Sequence, residues 1–269
     1  MERGRRGFRA KHEILETIWK DAALAVGLLH LVGPLAVRST FRFATHCRPL
    51  PVEAKDLPGK AAEVILPLIP RIESLGFERV GCYDCGELMA HSRSYVAYFC
   101  DRKTNEFANI STVVAHGKAA SYFEFSSRFA NGLAIETNTN DVLPLTPENS
   151  EIRVFRFPQI EEPGLLYEVH RQLVEKYAAG LWVQGEPEGE EIGRYARMVE
   201  NHGPRNAELG YMKLAPGGEQ YRLTWKGAIL ITWRGLWPAT QVRKIVYRRK
   251  MRAELKSLEV RGVAVLQKA

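Results

Sequence analysis

The chain has 269 residues, 45% hydrophobic and 26% charged, an ordinary globular composition with material for one large or two modest domains and no low-complexity tract or repeat. Its four cysteines, Cys47, Cys82, Cys85 and Cys100, lack the density of a disulfide-stapled secreted domain, so a reducing compartment is expected. The net charge of +7 is uneven: residues 1–60 carry +5, residues 61–163 carry −5 and residues 164–269 carry +7, which places any polyanionic partner at the two ends of the chain.

Residues 1–47 read as a basic start (Arg3, Arg5, Arg6, Arg9, Lys11) and an apolar helix. Ala22 to Val37 hold sixteen residues without a formal charge. As a helix this run spans roughly 24 Å, short of the ~30 Å hydrocarbon core. A core helix, a membrane span or re-entrant anchor flanked by Trp19, and a signal peptide compete for it. Residues 48–59 contain three prolines and read as a linker. Residues 60–182 read as an α+β core domain. Its first helix, over residues 60–75, is expected to be kinked or broken at Pro67 and Pro70.

Six short runs rich in aromatic and β-branched residues follow, beginning near Phe77, Ser94, Glu106, Ser121, Leu133 and Glu151. In the fourth, Phe123, Phe125 and Phe129 alternate with Tyr122, Glu124, Ser126 and Arg128, which predicts an inward Phe face and a charged face toward water. Short connections favour an antiparallel sheet of about five to six strands, since parallel pairing needs long crossovers. Gly164 to Gly180 has the spacing of a helix lying on that sheet. Residues 183–269 form a C-terminal region: a polar helix ending near Gly203, a hairpin turning at Pro216-Gly217-Gly218, and a helical segment interrupted at Pro238.

Catalytic motifs are scarce. Cys82 and Cys85 have the CxxC spacing of half a zinc site, but no second pair completes it, so no metal or other cofactor is called for; two small buried residues at a strand end are the plain alternative. His116 with Ser126 or Ser127 is a conceivable hydrolytic pair, and no GxSxG, P-loop or GxGxxG is present.

The stretch Gly210–Gly227, with Tyr221-Arg-Leu-Thr-Trp225-Lys-Gly227, resembles the wing of winged-helix DNA-binding domains. The resemblance covers about twenty residues and implies nucleic-acid binding through a helix just before the wing. Residues 204–209 are too short for that helix, and no base-reading pattern is present.

The densest feature is Tyr221 to Arg252. Trp225, Trp233 and Trp237 lead into Arg243, Lys244, Arg248, Arg249, Lys250 and Arg252. Trp favours the headgroup level of a bilayer, and Lys and Arg attract anionic lipid. With the apolar run 22–37, this predicts a non-enzymatic protein bound to an anionic membrane surface on the cytoplasmic side, in a binding or scaffolding role. The alternatives are a nucleic-acid-binding module, or a soluble cytoplasmic ligand-binding or enzymatic domain with a pocket between sheet and helix. A protein partner stays unidentified.

Overall fold

A computed structural model describes residues 26–147 and 149–258. Residues 26–40 form α1, a helix whose preceding apolar residues 22–25 lie outside the described range. Strand β1 (Arg42–Ala44) follows, then β2 (Leu50–Val52), a 3-10 turn (Ala54–Asp56) and α2 (Gly59–Glu73). The six predicted strands are β3 (Glu78–Gly86), β4 (Ser92–Asp101), β5 (Glu106–Ala115), β6 (Lys118–Arg128), β7 (Ala134–Asn138) and β8 (Ile152–Arg156). Then come α3 (Pro163–Ala178), α4 (Glu191–Glu200), α5 (His202–Glu208), β9 (Met212–Leu214), β10 (Gln220–Leu223), α6 (Trp225–Gly235) and α7 (Ala239–Lys256).

The architecture is α+β, with a larger sheet than expected. Seven strands lie in the order β2-β3-β4-β5-β6-β7-β8, and β1, β10 and β9 make a separate three-stranded sheet. The large sheet is mixed, because β8 runs parallel to β7. Residues 139–151 supply the long crossover that parallel pairing requires. The seventh strand comes from the expected linker: Leu50 to Val52 pair with β3 at the sheet edge, where Pro51 needs no partner for its missing N–H.

The core lies between one face of the sheet and helices α2 and α3. Ile110 and Phe123, paired across β5 and β6, point into it, as do Ala108 and Phe125. Helix α2 contributes Ala61, Ile65, Ile69 and Ile72, and α3 contributes Leu166, Val169 and Leu173, each at i, i+3 or i+4 spacing. Of the expected kink or break, the break does not occur: helix α2 is continuous through Pro67 and Pro70. Both prolines face solvent, where water satisfies the carbonyls their rings leave unpaired.

The second face of the sheet is also covered, so Glu124, expected to face water, is buried. Helix α4 lies over it. Buried Glu191 pairs with Arg102 at 2.5 Å, Arg194 stacks over the Phe107 ring at 4.1 Å, and Tyr195 meets Tyr98. Its apolar positions Ile192, Tyr195, Ala196 and Val199 face Val96, Tyr98 and Phe107.

The hairpin β9–β10 turns where predicted, with Gly217 and Gly218 at positive φ. Strand β1 joins β10 over Arg42–Arg222 to Ala44–Gln220, so the two basic ends of the chain share one small sheet. A cluster of Met212, Leu223, Ala228 and Ile231, with Val37 and Phe41 beside it, ties α1 and α6 to that sheet.

Candidate functional site

Helix α6 begins where Thr224 accepts a hydrogen bond from the Gly227 amide at 3.1 Å, a side-chain cap at the helix start. Its buried side is Gly227, Ala228, Ile231 and Thr232. The opposite stripe, Trp225, Ile229 and Trp233, is exposed at i, i+4, i+8 spacing. Helix α1 packs alongside. Gly33 sits so close to Thr232 that a Cβ would meet its Cγ2 at 2.7 Å, and Trp233 donates to the His30 carbonyl at 3.5 Å. Leu28, Leu31, Val32 and Leu35 form a solvent-facing stripe of α1, with Leu31 77% exposed. Helix α7 follows α6 with a third stripe of Val242, Ile245 and Val246. Trp237, between α6 and α7, is 61% exposed. Helices α1, α6 and α7 thus leave apolar side chains in water, where monomeric proteins rarely keep large contiguous apolar surface.

The cations predicted to accompany these tryptophans divide into two groups. Arg243 donates to the Pro144 carbonyl at 2.6 Å, and Lys244 and Arg248 both pair with Asp141 at 2.6 and 3.0 Å. These three hold the crossover 139–151 against α7. Arg249 and Lys250 are exposed, one helical turn beyond Ile245 and Val246. Arg38 lies over the Trp225 ring at 4.6 Å, adding a cation beside the α6 stripe. No helix among the described residues is long and apolar enough to cross a membrane, so the spanning reading of residues 22–37 finds no support in the described part. Trp182, which sequence analysis passed over, is 79% exposed in the loop after α3.

The cysteine pair does not make a metal site. Cys82 points into the α2/α3 core and Cys85 into the cluster under α4, on opposite faces of β3. An odd spacing along a strand separates the two sulfurs in this way. Cys85 instead meets Cys47: the hydrogen bond from the Cys85 thiol to the Cys47 sulfur lowers the Cys47 pKa and raises that of Cys85. Among the described residues, no group of three or more His, Cys, Asp or Glu side chains is placed to hold a metal.

The suspected hydrolytic pair is separated too. His116 occupies the exposed β5–β6 turn with φ of 47°, followed by Gly117 at 71°, the two positive-φ positions of a tight hairpin turn. Ser126 lies under α4, while Ser127 faces α3. There Ser127 Oγ lies 2.9 Å from His170 Nε2 and donates to Glu106 Oε1 at 3.0 Å. Thr137 Oγ1 meets His170 Nδ1 at 2.9 Å, and Tyr167 donates to Glu106 Oε2 at 2.8 Å. A Ser, a His and a Glu are thus close together. However, the carboxylate is bonded to the hydroxyl and not to the imidazole, the reverse of a nucleophile–base–orienter chain. Burial holds the His170 pKa down at about 4, and neither cavity described below reaches these groups. The cluster pins α3 to the sheet.

A second polar cluster lies under α4. Glu124 accepts from Asn109 Nδ2 at 3.1 Å and Asn138 Nδ2 at 2.8 Å, and Ser111 donates to Asn109 Oδ1 at 2.8 Å. Burial raises the Glu124 pKa against these hydrogen bonds. The neighbouring void, lined by Ser126, Arg128, Glu136 and Arg194, measures about 10 Å³, room for a single water.

No protein-family model matches the chain, and no curated protein or solved structure is significantly similar to it.

Proposed function

We propose that the protein docks on an anionic bilayer surface through the apolar stripes of α1, α6 and α7, in a binding or scaffolding role without chemistry of its own. The observation that carries this reading is the combination of Trp225, Trp233 and Trp237 with exposed Leu28, Leu31, Leu35, Ile245 and Val246, on α1, α6, α7 and the turn between the last two. Indole rings suit the headgroup level, and leucines reach the acyl boundary. Arg249, Lys250 and Arg38 supply cations beside the stripes, each worth about 1 kcal/mol against an anionic leaflet such as the cytoplasmic one. The sealed states of the His170 and Glu124 clusters favour a binding role over catalysis at either.

Vesicle co-sedimentation tests the proposal. The full chain should pellet with vesicles containing phosphatidylserine, less with pure phosphatidylcholine, and less again at high salt. Leu31→Gln with Trp233→Gln removes two exposed anchors. At about 1.5 kcal/mol per anchor, affinity should fall at least about tenfold while the fold persists. Failure to pellet at low salt, or unchanged binding by the double variant, would refute docking through this face.

Nucleic-acid binding is the second reading, and one observation favours it. Helix α5 does precede the β9–β10 hairpin, and β1 joins the hairpin as its third strand. Against it, α5 has seven residues, ends in Glu208, and buries Gly203 and Asn206 against the domain. Tight duplex-DNA binding that survives high salt would move this reading ahead of the first.

A further inference from the structure

A cavity of about 490 Å³ lies between α7 and the segment 140–159, within the range of ligand-binding pockets. Its wall is unusually charged. Among the described residues, Arg156, Lys244, Arg248, Arg252 and Lys256 line it, against one carboxylate, that of Asp141. Leu143, Met251, Leu255 and the Tyr247 ring make up an apolar part, and the Asn140 and Gln159 amides also reach the wall. The alternation follows from helical geometry. Positions 244, 248, 252 and 256 of α7 repeat every four residues, with 247, 251 and 255 beside them on the same inward side.

The wall is held in place before any ligand arrives. Tyr247 donates to the Val154 carbonyl at 3.1 Å and accepts from the Arg156 amide at 3.2 Å, which fixes the middle of α7 on edge strand β8. Asp141 gathers Lys244 and Arg248 at one end. Arg252 and Lys256, further along the helix, have no hydrogen-bond or ion-pair partner among the described residues. Met251 and Leu255 are buried and give the cavity an apolar floor.

We propose that this cavity binds a phosphate ester carrying an apolar body, its phosphate held by Arg248, Arg252 and Lys256 and its body on Met251, Leu255 and Tyr247. Guanidinium forks match phosphate oxygens in pairs, and a dianion answers the excess of positive charge. An apolar floor gives no advantage to a bare anion, so the body distinguishes this site from a surface salt patch. The ester comes either from a lipid or from a soluble metabolite, and the chemistry of recognition is shared.

Calorimetric titration of the full chain separates the sources. The probes are dihexanoyl phosphatidate below its micelle concentration, adenosine monophosphate and inorganic phosphate. At least one ester should bind one to one, and at least tenfold more tightly than inorganic phosphate. Tight binding by the phosphatidate alone identifies a lipid ligand, and by the nucleotide a soluble one. Arg252→Gln with Lys256→Gln, both at exposed positions, should weaken the ester at least tenfold with an unchanged urea midpoint. Leu143→Trp, which fills the cavity and removes no charge, should also abolish binding. Lys103→Gln with Lys118→Gln, which remove equal charge from the exposed β4–β5 turn and the exposed start of β6, should leave it intact. The idea fails if neither ester binds, if inorganic phosphate binds equally well, or if the Lys103 and Lys118 variant weakens binding as much as the α7 variant. Because no bilayer is present, this outcome is independent of vesicle docking.

Discussion

Acidification should destabilise this protein through one histidine. The His170 ring is fully buried on α3 between Thr137 and Ser127. The network assigns its tautomer. Ser127 gives its proton to Glu106, so its oxygen accepts from Nε2–H, and Thr137 donates to Nδ1. A second proton on Nδ1 would meet the proton of the donating Thr137 hydroxyl in a fully buried site. Burial therefore holds the pKa down at about 4 against an ordinary 6.5, with Arg171 lowering it further and Glu106 partly opposing. Because the folded pKa is depressed, the unfolded chain takes up the proton first as pH falls through 6.5. Stability is complete above that value and is lost progressively toward pH 4. At 1.36 kcal/mol per unit, the loss approaches about 3 kcal/mol, a large share of the ~5–15 kcal/mol that domains possess. Urea unfolding followed by Trp fluorescence between pH 7 and pH 4 measures it. His170→Gln keeps a donor and an acceptor but cannot titrate. It should cost about 1–2 kcal/mol at pH 7 through lost packing and hydrogen bonding, and should flatten the slope between pH 6.5 and pH 4. If wild type and His170→Gln lose stability in parallel over that range, the assignment of a neutral, proton-refusing ring is wrong.

Three further variants test hydrogen bonding and backbone packing. Tyr247→Phe removes the hydroxyl that bonds both Val154 and Arg156 on edge strand β8, and should cost about 1–2 kcal/mol of unfolding free energy in urea titration. Gly227→Ala places a Cβ 2.0 Å from the Tyr211 carbonyl oxygen, a backbone atom that cannot step aside, so it should lower stability by about 2 kcal/mol despite the better helix propensity of alanine. Gly193→Ala in α4 meets only the tip of Arg197 at 3.4 Å and should instead raise stability by about 0.5–1 kcal/mol; thermal melts of the two variants should move in opposite directions.

Much of the large sheet could be read locally. Phe123, Phe125 and Phe129 declare the buried face of β6 by alternation alone, and the Ala130–Gly132 turn marks its exit into β7. What escaped is non-local. Nothing in Ala134–Asn138 or Ile152–Arg156 encodes that the two strands run parallel; that is settled by the path of residues 139–151. Pro51 hid β2, because a proline within three residues reads as a linker until an edge is available to receive it. Glu124 was misplaced for a related reason. An alternating strand looks one-sided unless a second layer is foreseen, and the layer here is ten-residue α4. A signal for it existed: Ile192, Tyr195, Ala196 and Val199 recur at helical spacing, which requires an apolar partner on the second face of the sheet.

The same question of faces decides how the C-terminal basic run is understood. As a sequence, Arg243 to Arg252 reads as one cationic surface. At about 100° per residue, it is two. Lys244, Tyr247, Arg248, Met251 and Leu255 turn inward, where Asp141 and β8 hold them and a cavity opens beside them. Val242, Ile245, Val246 and Arg249 turn outward beside the helices that carry the tryptophans. A residue's position in the run is therefore a poor guide to its role. Neutralising Arg249 and Lys250 bears on bilayer contact, whereas neutralising Arg252 and Lys256 bears on the cavity. Lys244 and Arg248 sit where neither loss would be clean, because removing either takes one of the two ion pairs from Asp141 and loosens the crossover that forms the cavity's other wall.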